Sequence, residues 1–141
     1  MRSKKIWLRG AKLYLILDAQ VNDYATLLDI LKQSVRAGVD IVQLRDKSGC
    51  AKDILEFSQK ASKLIGGKIP FVINDRVDLA MVARASGVHL GQEDIPLQVA
   101  RRMMGEKAII GVSCQTMGHA RRAEREGADY IGFGSVFKTQ T

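Results

Sequence analysis

The sequence predicts an α/β fold, a (β/α)8 TIM barrel of which six strands and five helices are present. Three observations predict it. Six short apolar runs alternate with segments of helical periodicity, near-identical helix exits recur along the chain, and polar or charged residues follow almost every apolar run. Runs rich in Val, Ile and Leu without polar alternation suit parallel strands covered on both faces.

The predicted strands are residues 13–17, 41–44, 70–73, 88–90, 109–112 and 130–133. Between the first two, Tyr24, Leu27, Leu28, Leu31 and Val35 follow the i, i+3, i+4 spacing of a helix with one apolar face. Ile54, Phe57, Ser58, Ala61, Leu64 and Ile65 repeat that pattern before the third strand. Val77 and Leu79 start a shorter segment after it, with Asp75 as a candidate cap. Pro96 reads as a first-turn proline before Leu97, Val99, Ala100 and Met103, and Thr116 as the cap of a helix carrying Ala120 and Ala123. Ala37-Gly38-Val39-Asp40, Ser86-Gly87-Val88-His89 and Glu126-Gly127-Ala128-Asp129 are near-copies. Each is expected to place glycine at a left-handed helix exit and then enter a strand. A βα repeat of this kind demands right-handed crossovers and a parallel sheet.

An open doubly wound sheet satisfies the same pattern. The barrel is preferred because polar signals follow nearly every strand, where barrel active sites sit, whereas an open sheet gathers them at one switch point. A complete barrel needs about 200 residues or more, so this reading places about two further βα units and a helix beyond the sixth strand. Residues 1–12 are read as a basic extension and 13–141 as a partial barrel. Six strands cannot close an eight-stranded barrel, so the two apolar edges are expected to make this length of chain either self-associate, as a homo-oligomer, or be only partly ordered, and to leave it inactive alone.

Composition narrows the function. At 141 residues, 46% hydrophobic and 26% charged, the chain is an ordinary globular domain. Its net charge of +7 is scattered rather than blocked, and aromatic residues are only 6%, which argues for an anionic metabolite over nucleic acid. No run is long enough to span a membrane. Cys50 and Cys114 form no CxxC pair, so a reduced cytoplasmic setting is expected.

After the second strand, Gln43, Arg45 and Lys47 alternate to one side. They are either an anion cradle, with Arg forking onto phosphate oxygens, or a solvated strand end. Asn74-Asp75-Arg76 follows the third strand and Gly91-Gln92-Glu93-Asp94 the fourth. Adjacent strands lie about 4.8 Å apart, so Asp75 and Asp94 can converge on one Mg²⁺, which takes one or two carboxylates and fills its shell with water and phosphate oxygens. Each aspartate is alternatively a helix cap. Ser113 offers a hydroxyl to phosphate, Cys114 reads as a small packed residue, His89 as barrel interior, His119 as a solvated helix residue, and Met103-Met104 as core.

Taken together, residues 43–47, 74–76, 87–94, 110–113 and 134–141 resemble the thiamine phosphate synthase family over nearly all of residues 13–141. The resemblance implies a (β/α)8 barrel that joins hydroxymethylpyrimidine diphosphate to a thiazole phosphate, giving thiamine phosphate and pyrophosphate. It implies that Gln43, Arg45, Lys47, Asn74 and Ser113 contact the pyrimidine diphosphate, with Arg45, Lys47 and Ser113 catalytic. Asp75 and Asp94 would hold Mg²⁺, Tyr14 would flank the pyrimidine, and Thr139, Gln140 and Thr141 would contact the thiazole phosphate. The family places a lysine after the second of these threonines, and the chain ends at Thr141. Gln115 stands where relatives often carry histidine. The thiazole tautomerase paralogue tends to lack the Asn-Asp pair and the strand-four aspartate, so the synthase reading is preferred to it and to a non-catalytic phosphate-binding fragment.

Overall fold

The computed structural model describes residues 4–137. They run α1 (Lys4–Gly10), β1 (Tyr14–Asp18), α2 (Tyr24–Ala37), β2 (Ile41–Arg45), α3 (Ala51–Ile65), β3 (Phe71–Asn74), α4 (Val77–Val82), β4 (Gly87–Leu90), α5 (Leu97–Met104), β5 (Ile109–Cys114), α6 (Met117–Glu126) and β6 (Tyr130–Phe133). The six strands form one parallel sheet in sequence order. All six predicted strands are present, with ends shifted by at most two residues. The five connecting helices are present too, and residues 4–10 of the expected extension are a sixth.

Alternate strand residues build the core. Leu17, Val42, Leu44, Ile73, Val88, Leu90, Ile110 and Val112 share one buried cluster with Leu27 and Leu31 of α2, Ile54, Phe57 and Ala61 of α3, and Ala123 of α6. The intervening Gln43, Val72 and His89 are also buried but lie outside that cluster, because they point to the other face of the sheet. Burial on both faces accounts for the unbroken apolar runs. The sheet curls into a half-barrel: Tyr14 on β1 and Tyr130 on β6 touch across its concave face. Among the described residues, no helix is long and apolar enough to cross a membrane.

The helix exits behave as expected at two of three places. Gly38 and Gly127 are left-handed, with φ of 90° and 87°, and their amides return to the last turn of α2 and α6. Gly87 corrects the expected repeat. It is the first residue of β4, and a Cβ there would stand 1.8 Å from the Ile109 carbonyl oxygen. The glycine is needed for close strand approach, while α4 ends instead at Ala83 and Arg84, the latter at φ 53°. The repeat that the backbone does keep is the residue entering each even-numbered strand. Asp40 accepts the amides of Lys12 and Leu13, Ser86 that of Phe71, and Asp129 that of Ile110. Each thus satisfies amide donors at or near the start of the preceding odd-numbered strand.

Smaller expectations divide. Thr116 caps α6, its hydroxyl accepting from the His119 amide. Pro96 is the cap residue of α5, one position before its first turn. Met104 packs on the core, but Met103 faces solvent, so the pair is not a core unit.

Candidate active site

The C-terminal ends of β1 to β5 converge on one mouth. Asp18 closes β1 and Arg45 closes β2, and Arg45 Nη1 donates to Asp18 Oδ2 at 2.7 Å. Beyond Arg45 the chain turns around Asp46, whose Oδ1 accepts the amides of Ser48 and Gly49 and whose Oδ2 accepts the Tyr24 hydroxyl. That turn carries Lys47, whose Nζ lies 3.1 Å from Asp75 Oδ2.

Asp75 follows β3 in an uncommon conformation. Its φ is 61°, and the Arg76 amide donates back to the Asn74 carbonyl at 2.7 Å. This three-residue turn is strained by roughly 1–3 kcal/mol for a non-glycine residue. It is held by the Asp75 amide, which donates to the His89 carbonyl at 2.8 Å. The result turns the carboxylate toward Lys47 and the loop after β4. There Asp94 accepts the Gly91 amide at 2.6 Å and brings its carboxyl group within hydrogen-bonding reach of Asp75. Burial raises the pKa of Asp75, the neighbouring Asp94 raises it further, and Lys47 opposes both. Neither aspartate is a helix cap. Arg76 occupies the cap position of α4 and Pro96 that of α5.

Two adjacent carboxylates with one partly exposed ammonium are short of positive charge, and a divalent cation would relieve the deficit. Among the described residues no group of three His, Cys, Asp or Glu side chains converges. The donor set is therefore a carboxylate pair, which suits Mg²⁺ that keeps water and phosphate oxygens in its shell. Asn74, the residue before Asp75, is buried at the same strand end.

Below the mouth the concave face holds a second group. Gln43 Nε2 donates to Tyr14 Oη at 2.8 Å, Tyr14 Oη and Tyr130 Oη are 2.6 Å apart, Tyr130 Oη lies 3.0 Å from His89 Nδ1, and His89 Nε2 lies 2.8 Å from Ser113 Oγ. Gly111 makes room for this arrangement, since a Cβ there would stand 2.1 Å from the Tyr130 ring. Burial drives the His89 imidazole down to about 4, against a small opposing pull from Asp94. The Ser113 carbonyl is fixed by Gln92, which in turn accepts from Arg122 on α6.

Of the residues singled out from sequence, Lys47, Asp75 and Asp94 come together, with Arg45 and Asn74 at the same end of the sheet. Tyr14, Gln43 and Ser113 belong to the interior chain of hydrogen bonds. Thr139, Gln140 and Thr141 lie outside the described residues. Cys114 is buried, its thiol pushed up by burial, as a packed residue should be. His119 is half-buried rather than solvated and lines a cleft of about 280 Å³ with Asp94, Arg122 and Glu126. Sequence reasoning missed Asp18 and Tyr130. Strand alternation carried a signal for Tyr130, which pairs in register with Gly111 and stands on the same face as Ser113.

A curled parallel α/β half-barrel with cations, a carboxylate pair and hydroxyls at the C-terminal ends of its strands has its polar groups where barrel-type proteins carry their sites. The chain belongs to the thiamine monophosphate synthase family, whose model matches residues 13–141. It is 40% identical over 131 residues to a thiamine-phosphate synthase of Shouchella clausii, covering 92% of this chain and 63% of that one. It is 40% identical over 138 residues to the Methanosarcina mazei thiamine-phosphate synthase, covering 98% of this chain and 57% of that one. Its fold matches thiamine phosphate pyrophosphorylase from Pyrococcus furiosus with a TM-score of 0.82 at 34% identity, over 92% of this chain and 63% of that one. The chain thus spans about three fifths of the length of these relatives. A match to a dihydrodipicolinate synthetase of Pseudomonas aeruginosa, at 14% identity and a TM-score of 0.69, reflects fold alone.

Proposed function

We propose that residues 13–141 form the substrate-binding part of a transferase that joins hydroxymethylpyrimidine diphosphate to thiazole phosphate, in the cytoplasm, with a complete (β/α)8 barrel as the working unit. The observation that carries this is the placement of Lys47 against the Asp75–Asp94 carboxylate pair at one strand-end mouth. In this reading Asp75 and Asp94 hold Mg²⁺, which when bound neutralises the departing pyrophosphate. Lys47 and Arg45 add positive charge beside the same oxygens. Asn74 and Ser113 donate hydrogen bonds to the diphosphate, Gln43 and Tyr14 flank the pyrimidine, and residues 139–141 take the thiazole phosphate. The C–O bond to pyrophosphate breaks, the aminopyrimidine carries the resulting cation, and the thiazole nitrogen attacks it. No side chain need act as a strong base, so the protein contributes position and electrostatic stabilisation.

Calorimetric titration of pyrophosphate with and without Mg²⁺ tests the reading. Metal-dependent binding lost in Asp75→Ala supports it. Binding indifferent to both metal and Asp75 refutes it.

A further inference from the structure

The hydrogen bonds of the concave face have a direction. Tyr14 Oη accepts from the Gln43 amide nitrogen, so its own proton is directed to its other polar neighbour, Tyr130 Oη. Tyr130 Oη, now an acceptor from Tyr14, has His89 Nδ1 as its remaining partner among the described residues and places its proton there. A ring nitrogen that accepts carries no hydrogen, so the imidazole is neutral with its proton on Nε2. That Nε2–H points at Ser113 Oγ, 2.8 Å away. The Ser113 oxygen is then occupied as an acceptor, and its hydrogen is left to point elsewhere.

We infer that Gln43, Tyr14, Tyr130 and His89 form a one-way chain of donors that presents the Ser113 hydroxyl to the mouth as a hydrogen-bond donor. Ser113 is held for acceptors, and His89 and Tyr130 are its positioning residues. The four residues come from β4, β6, β1 and β2, so the curl of the sheet itself is what lines them up. With the Gln43 amide reversed, every link would run backwards. The imidazole proton would then sit on Nδ1, and Ser113 would meet the mouth with lone pairs only. A mouth carrying Arg45 and Lys47 is arranged for anionic oxygens, which need donors. That the acceptor is a phosphate oxygen rests on the transferase reading above; the direction of the chain does not.

The chain has two histidines, so nitrogen-15 NMR of the imidazoles shows two rings, and His119→Gln leaves His89 alone. At pH 7.5 the expected spectrum has His89 Nε2 protonated and Nδ1 bare. A proton on Nδ1, or on both nitrogens, overturns the inference, and this measurement needs no variant of the network. Tyr130→Phe removes the donor to Nδ1, and the ring should lose its single tautomer. In the presence of Mg²⁺, that variant should bind pyrophosphate about fivefold more weakly, the worth of about one hydrogen bond. In a Ser113→Ala background the same change should do nothing more. An equal loss in both backgrounds contradicts the positioning role. If the tautomer is as expected but the wild-type protein binds no pyrophosphate, the chain of donors stands and the transferase reading falls.

Discussion

Tyr14 and Tyr130 share a hydrogen bond of 2.6 Å, although they belong to the first and last strands of a six-stranded sheet in which neither strand pairs with the other. A flat sheet of that width would hold them about 24 Å apart, at five spacings of about 4.8 Å. The curl is therefore a property of the sequence already expressed in these six strands. It follows from packing five helices against one face and from interior positions small enough for the opposite wall to approach.

Gly111 is one such position, and its replacement gives the first prediction. A Cβ there would lie 2.1 Å from Tyr130 Cζ and 2.4 Å from the Tyr130 hydroxyl oxygen. Gly111→Ala should push the ring aside, break its bonds to Tyr14 and His89, and cost about 1–3 kcal/mol. Urea denaturation gives the value. Gly10→Ala, where a Cβ meets nothing within 4 Å, is the control and should be neutral or slightly stabilising.

At the other end of the sheet, Asp129 predicts a loss of stability without a loss of design at the mouth. Its Oδ2 accepts from Arg101 Nη2 at 2.7 Å and from the Ile110 amide at 2.9 Å, with both side chains of the ion pair nearly buried. Asp129→Ala leaves the Arg101 charge without its carboxylate, held only by the Gly105, Ala108 and Gly127 carbonyls, and takes an acceptor from the Ile110 amide. The expected cost is about 3 kcal/mol. Restoring neutrality with Arg101→Met in the same chain should recover part of it, read as a shift in the denaturation midpoint.

These contrasts mark what the sequence discloses. Strand positions were legible because burial on both faces leaves continuous apolar runs, as in residues 41–44 and 70–73. The left-handed exits at Gly38 and Gly127 were legible because a positive φ favours glycine. Gly87 was misread because glycine also serves close approach, and only the Ile109 carbonyl distinguishes the two uses. Asp75 and Asp94 were visible as candidate partners because they follow adjacent strands. The unusual turn that aims Asp75 was not, because its cause is a bond to the His89 carbonyl on the next strand. Arg45 looked like a free fork for phosphate, and its partner Asp18 was hidden 27 positions away in the sequence.

The carboxylate pair yields the third prediction. Asp75 is held above the ordinary carboxylate range by burial and by Asp94. Asp94→Asn removes a like charge, so the Asp75 pKa should fall. Lys47→Ala removes the opposing charge, so it should rise. Carbon-13 NMR of the carboxyl carbons reads both. Mg²⁺ affinity should drop in Asp94→Asn by about tenfold or more, even though Asp75 is then more fully ionised, because a ligand has been lost. Unchanged affinity in that variant would remove Asp94 from the proposed metal set.

His89 makes the protein acid-sensitive in a window set by its own titration. Burial holds its folded pKa at about 4, against 6.5 ordinarily. Between these values the unfolded chain binds a proton that the native state does not. Stability therefore rises with pH across the window and is lost as pH falls below about 6.5. The full effect of this one group is about 3 kcal/mol, of which about 2 kcal/mol is lost by pH 5. Other acids titrate near the lower end, so the informative quantity is a double difference. Wild type and His89→Gln are unfolded in urea at pH 7.5 and at pH 5.0. Glutamine keeps a polar side chain at the site but binds no proton, while the remaining titrating groups are common to both proteins. The stability advantage of wild type over His89→Gln should shrink by about 2 kcal/mol on going to pH 5. An advantage that stays constant would mean that the folded imidazole titrates as the unfolded one does. The ring would then be far better solvated than its place between Tyr130 and Ser113 allows.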